Sequence, residues 1–136
     1  RNSRPQRRAL YPLSSFTPVF DLIEPLLACG VEILNPIQTS AARMDPAALK
    51  DRFGDRLTFW GGVDVQQFLP HAKPEEIPGH VRELAATLGR DGGYVMAPAH
   101  EIQDDVPPEN IAAWIEAVRT PPDVSHTDTS KPETIG

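Results

Sequence analysis

A chain of 136 residues with 40% hydrophobic side chains can build one domain with a real core, but a complete β/α barrel takes roughly 250 residues. The formal charge of −6 hides a body, Thr17 to Arg119, with 16 acidic and 8 basic side chains, which argues against nonspecific nucleic-acid binding through phosphate contacts. A single cysteine, Cys29, excludes an internal disulfide framework and a multi-cysteine zinc site.

No apolar run approaches the roughly 20 residues of a membrane span and no signal peptide is visible, so a cytoplasmic protein without a membrane or nucleic-acid partner is expected. In chain order, residues 1–15 form a poorly defined basic segment with Arg1, Arg4, Arg7 and Arg8 at its head and no clear period or cap. In a Pro/Ser/Gln context four arginines read as a solvated arm. Thr17-Pro18 looks like a helix N-cap followed by proline at the first helical position. Phe20, Ile23 and Leu27 follow at helical spacing, Pro25 should kink or restart the helix, and Gly30 sits where a stop belongs. The apolar neighbours Leu26, Leu27 and Val31 predict a buried thiol at Cys29.

A first strand is expected over Val31–Leu34, a second helix from Asp45-Pro46 to Gly54 and a second strand over Leu57–Val63. A third helix runs from about Pro74 to Leu88, with Ile77, Val81, Leu84 and Leu88 on one face and Pro78 near its start. After Asp91-Gly92-Gly93 comes a strand over Tyr94–Ala97, and a last helix starts at Pro107-Pro108 with Ile111, Trp114, Ile115 and Val118 inward. Residues 120–136, rich in Pro, Ser, Thr and Asp, read as a disordered tail. Strands alternating with helices imply parallel strands joined by right-handed crossovers, in an open sheet or a closed barrel. No glycine-rich phosphate fingerprint follows any of the strands.

Each strand ends in polar residues, where α/β folds place their chemistry. His100 follows the last strand and precedes the loop Glu101-Ile102-Gln103-Asp104-Asp105. It is either a functional imidazole or a loop hydrogen-bonder. Asp64 ends the second strand after Gly61-Gly62, and paired glycines let backbone approach a ligand or a neighbouring strand. Asp64 either meets a ligand or caps the turn. Asn35 and Gln38, around Pro36 at the end of the first strand, suit hydrogen bonds to a polar ligand or to loop backbone. His71, His80 and His126 have no partner at metal-ligand spacing, His80 being expected on the outer face of its helix. Ser14, Ser15 and Ser40 have no nearby histidine.

The runs GVEILNPIQTSAARMDPAALKDRFGDRLTFWGGVD and GGYVMAPAHEIQDDVPPENIAAWIEAVR resemble the C-terminal part of uroporphyrinogen decarboxylase-like proteins over about Phe16 to Arg119. That family also holds cobalamin-dependent methyltransferases. The resemblance implies an α/β fold, a partial (β/α)8 TIM barrel contributing its last three parallel strands with their helices. It places His100 where the decarboxylases keep a histidine in the substrate cleft, matches Asp64 to the aspartate at the end of a GN-L-D strand, and puts Asn35 and Gln38 at the strand end holding the PIQ loop. The implied activity is loss of CO2 from tetrapyrrole acetate side chains after protonation of a pyrrole ring, with no metal or organic cofactor. The aspartate and arginines on which the decarboxylases rely belong to their N-terminal half. The methyltransferase branch binds zinc through a His-x-Cys and a later cysteine; here the segments read Arg8-Ala9-Leu10-Tyr11-Pro12-Leu13-Ser14-Ser15 and Ala99-His100.

The expected partners are therefore a tetrapyrrole or other small-molecule substrate, the missing N-terminal half of the barrel, and a second copy in a homodimer. The alternatives are a corrinoid-linked methyltransferase-like member of the same fold and a non-catalytic truncated copy or scaffold. Three parallel strands with two open edges would leave the isolated fragment prone to aggregate.

Overall fold

The structure, a computed structural model, describes residues 9–10 and 19–120. The basic head, the Thr17-Pro18 cap and the tail beyond Thr120 lie outside the described residues. The elements are β1 (Ala9–Leu10), α1 (Val19–Ala28), β2 (Ile33–Ile37), α2 (Pro46–Phe53), β3 (Thr58–Val63), α3 (Phe68–His71), α4 (Ile77–Leu88), β4 (Tyr94–Pro98) and α5 (Pro108–Arg119), with a 3-10 turn over Pro74–Glu76.

α1 continues unbroken through Pro25, so the expected restart does not occur. The carbonyl that loses its helical bond there belongs to Asp21, an exposed residue. α1 ends in a left-handed stop: Gly30 has φ +85°, its N–H bonds the Leu27 carbonyl at 2.9 Å, and the Val31 N–H reaches back to Leu26 at 3.0 Å. Val31 thus closes the helix, and β2 begins two residues later than the β-branched pattern suggests and runs on to Ile37. Cys29, in the same turn, is exposed, which corrects the expected buried thiol: Leu26 and Leu27 take the inward face and leave Cys29 outside.

α2 starts where expected, with the Asp45 carboxylate accepting the Ala48 N–H at 2.9 Å and Pro46 in the first turn. The expected third helix divides, because Pro74 opens a 3-10 turn and Pro78 opens α4 itself. Ile77, Val81, Leu84 and Leu88 are all buried, as their spacing predicts. α5 turns only part of the expected face inward. Asn110 is buried and Ile111 and Trp114 pack on the core, while Ile115 and Val118 stand 44% and 40% exposed. Two elements carry no periodic signal long enough to read: the two residues of β1 and the four of α3.

The sheet is wholly parallel and holds four strands in the order β1-β2-β3-β4, one more than the expected three. Right-handed crossovers between strands laid down in one direction put every connecting helix on the same face. Leu34 and Phe59, paired in register, and Tyr94 beside Phe59 join Ile23, Leu49, Phe53, Leu84 and Leu88 in one core on that face. Ile33, Trp60 and Val95 alternate to the other face and stay out of that core, Val95 being 44% exposed.

Candidate functional site

The carboxyl ends of β2, β3 and β4 meet because of how closely β2 approaches β3. Ile37 sits level with Gly61 after a register shift from the Leu34–Phe59 pair. A Cβ at Gly61 would lie 2.7 Å from the Ile37 nitrogen, and Gly61 has φ +120°, a conformation reserved for glycine. Of the two expectations for the glycine pair, close approach of a neighbouring strand is therefore met within the chain itself. Gly62 makes room in the same way for the Tyr94 ring, whose hydroxyl donates to the Gly61 carbonyl at 2.8 Å. Burial pushes the Tyr94 phenol well above its ordinary range, so it stays a donor.

Beyond Ile37 the chain turns across the top of β3. The Thr39 hydroxyl donates to the Gly62 carbonyl at 3.2 Å, and the Gln38 amide donates to Ser40 Oγ at 2.6 Å and to Asp64 Oδ1 at 3.2 Å. Gln38 Oε1 is buried without a partner among the described residues. Asn35 is not at the strand end. It lies inside β2, half-buried and deeper than Gln38, because β2 extends through Pro36.

Asp64 follows β3 as expected and is 5% exposed. The same Oδ1 accepts the backbone N–H groups of Gln66 at 2.8 Å and Gln67 at 3.0 Å, and the Asp64 carbonyl accepts the Leu69 N–H at 2.9 Å. Burial pushes its carboxyl pKa up. The Gln67 and Gln66 amides, with the Ser40 hydroxyl and the Gln38 amide, outweigh that and hold it below the usual carboxylate value. Asp64 is therefore an ionised group that fixes the entry to α3.

Val63 pairs with Pro98, and the Ala99 N–H bonds the Val63 carbonyl at 2.8 Å. His100 thus stands at the strand end next to that of Asp64, exposed, at the start of a loop pinned by buried Val106. Glu101, Asp104 and Asp105 on that loop are exposed. Arg43, the basic residue nearest a strand's carboxyl end in sequence, is bound to Asp21 at 2.7 Å and lies over the Phe20 ring at 4.7 Å. Among the described residues no three His, Cys, Asp or Glu side chains are grouped to hold a metal ion.

Sequence reasoning missed Thr39 and Asn110, whose partners lie 23 to 41 residues away, and weighed Ser40 only as a nucleophile rather than as a partner of Gln38. It also misplaced His80. That ring is half-buried against Phe68, centroids 4.0 Å apart, rather than on an outer face. Burial pushes its pKa down, against the opposing pull of Glu83 and Asp64, and its Nε2 has no partner among the described residues. The extra inward surface comes from α3, an element too short to expect.

The family profile described as Uroporphyrinogen decarboxylase (URO-D) matches residues 18–121. Among similar curated proteins, a uroporphyrinogen decarboxylase of Serratia proteamaculans is 34% identical over 96 residues, 71% of this chain and 25% of its own length. Those of Methylococcus capsulatus and Psychromonas ingrahamii are 36% and 37% identical over 54% and 55% of this chain, and 21% of their own lengths. This chain thus spans a quarter or less of the curated relatives it matches. The profile match runs from the start of α1 through the end of α5 and takes in every described helix; on it, the chain belongs to the uroporphyrinogen decarboxylase family.

Proposed function

We propose that this chain forms the closing part of a (β/α)8 barrel of uroporphyrinogen decarboxylase type, and that the ends of β2, β3 and β4 form one wall of its substrate cleft. The observation that carries the reading is the strand order: parallel strands in strict sequence with their helices on one face are wound as a barrel is, not as a doubly wound sheet. Two further features support it. All-parallel sheets are covered on both faces, and here Ile33, Trp60 and Val95 lie outside the core that the described helices build. The outer edge of β4 has no partner strand among the described residues, and the exposed Ile115 and Val118 lie on the helix that follows it. The missing strands would cover all of these.

In that barrel His100 contacts the substrate from the end of β4. Asp64 and Gln38 build the neighbouring strand end, and Asn35 lies deeper in the barrel interior. The reaction protonates a pyrrole ring carbon. The bond from the acetate methylene to its carboxylate then breaks, its electron pair returns to the cationic ring, and CO2 leaves. The exocyclic methylene then takes a proton to become a methyl group, and the ring carbon gives up the proton it first received, which restores the pyrrole. A polycarboxylate substrate needs cationic partners. Arg43 is already bound to Asp21 here, so the carboxylates would be held by residues of the remaining barrel.

A chimera tests this. Residues 18–121 replace the matching segment of the Serratia proteamaculans relative, and CO2 release from uroporphyrinogen is measured. The chimera is expected to turn over, with His100→Ala lowering kcat/KM by about tenfold, the loss of one hydrogen bond to the substrate. The 136-residue chain alone is expected to release none. A folded chimera without turnover, or full activity in His100→Ala, would overturn the reading.

A further inference from the structure

We infer that Asn110 is a positioning residue that clamps the Asp64 strand end to the His100 loop, so that the two move as one body. The inference rests on the reading of those strand ends as a substrate wall. Asn110 lies in the first turn of α5 and is 1% exposed. Its amide donates both hydrogens, one to the Leu69 carbonyl at 2.8 Å and one to the Ala72 carbonyl at 2.8 Å.

These are carbonyls of α3 and of the residue that ends it. A four-residue helix leaves nearly all of its carbonyls without helical partners and cannot stand by itself. α3 is instead held at both ends by distant groups. At its start Asp64 takes the Gln66, Gln67 and Leu69 N–H groups. At its finish Asn110 supplies the donors. The other side of Asn110 is the loop from Ala99 to Pro107, which begins beside Val63 and ends at Pro107, whose carbonyl accepts the Asn110 N–H at 2.9 Å.

A continuous path therefore runs from Gln38 through Asp64 and α3 to Asn110, and back along the loop to His100. Val106, buried in the core, fixes that loop from below. Without the two amide donors, the carbonyls of Leu69 and Ala72 would be stranded in a buried place, and α3 and the loop would open independently of the sheet.

Hydrogen exchange on the full chain tests the clamp. Asn110→Ser keeps one donor. Asn110→Asp keeps the size but, once ionised, offers none and sets a carboxylate against two carbonyls. In both variants the hydrogen-bonded amides of Gln66, Gln67, Leu69 and Ala72 on one side and of Ala99 and Val106 on the other are expected to lose protection together by at least about tenfold, the factor for one lost buried hydrogen bond, with Phe59–Val63 unchanged. Protection in Asn110→Asp should recover in part on acidification, because a protonated carboxyl regains one donor. Comparison with the wild-type chain at each pH cancels the titration of Asp64 and His80.

Loss confined to 66–72, or wild-type protection in both segments, would overturn the clamp. So would loss in Asn110→Asp with no recovery at low pH, since a purely steric role has no pH dependence. Should Asn110→Asp loosen the whole sheet, Asn110→Ser carries the test. The function reading fails separately, when the segments loosen together as expected but His100→Ala leaves the completed barrel fully active.

Discussion

The two ends of this parallel sheet are built from different materials. At the amino end, exposed ion pairs tie the turns: Arg56 to Glu24 at 2.9 Å and Arg90 to Asp51 at 2.5 Å. One buried cation, Lys50, donates to the Gly92 carbonyl at 2.6 Å. At the carboxyl end Asp64, Gln38, Thr39 and Asn110 form buried or half-buried hydrogen bonds that cross between elements. Exposed pairs are weak and screened by salt, whereas a buried polar group stripped of its partner is costly. The exposed ion pairs of the amino end can therefore vary at little cost in stability, whereas Lys50 cannot. The carboxyl end is tied across elements by buried hydrogen bonds, and it is the end at which an α/β fold does chemistry.

The sharpest way to break that contrast is at Gly61. Gly61→Ala places a methyl group against the Ile37 backbone at a φ closed to alanine, and a loss of about 3–5 kcal/mol is expected by denaturant unfolding, enough to separate β2 from β3. Retained stability would mean that the close approach is not needed.

Next is Asp64→Ala, which strands the Gln66 and Gln67 N–H groups. It should cost about 2 kcal/mol near neutral pH. The carboxyl pKa is lowered by folding, so its stabilisation is complete above the unfolded carboxylate range. It fades as pH falls through the folded value. Melts of the variant and the parent chain should accordingly converge in acid.

His80 gives a smaller effect in a different window. Its pKa is lowered by folding, so the stability of the neutral ring is complete above the unfolded histidine value near 6.5 and declines as pH falls below it. Melting temperatures should drop from pH 7 to pH 5, and His80→Phe should flatten that part of the profile. The smallest effect belongs to the amino end. Arg90→Ala should leave the melting temperature almost unchanged, and any difference should vanish in high salt.

The sequence resolved the elements whose signals are local and long. The 4-3-4 apolar spacing of α4, the Asp45-Pro46 start of α2 and the glycine stop after α1 each report a neighbour a few residues away. His100 and Asp64 were legible because polar residues closing apolar runs mark strand ends. Asn35 was misread since nothing local to it says that β2 continues through Pro36. β1 and α3 went unread because two and four residues hold no period, and both exist only through partners elsewhere.

By itself, then, the amino-acid sequence determined the alternation of helix and strand and the polar strand ends. Their causes are backbone preference and side-chain periodicity over one or two turns. Tertiary structure alone decided the strand order, the inward face of α5 and the partners of Asp64 and Asn110. Each of those depends on contacts between residues far apart in the chain, 26 from Gln38 to Asp64 and 41 from Leu69 to Asn110, where burial rather than local propensity selects the partner.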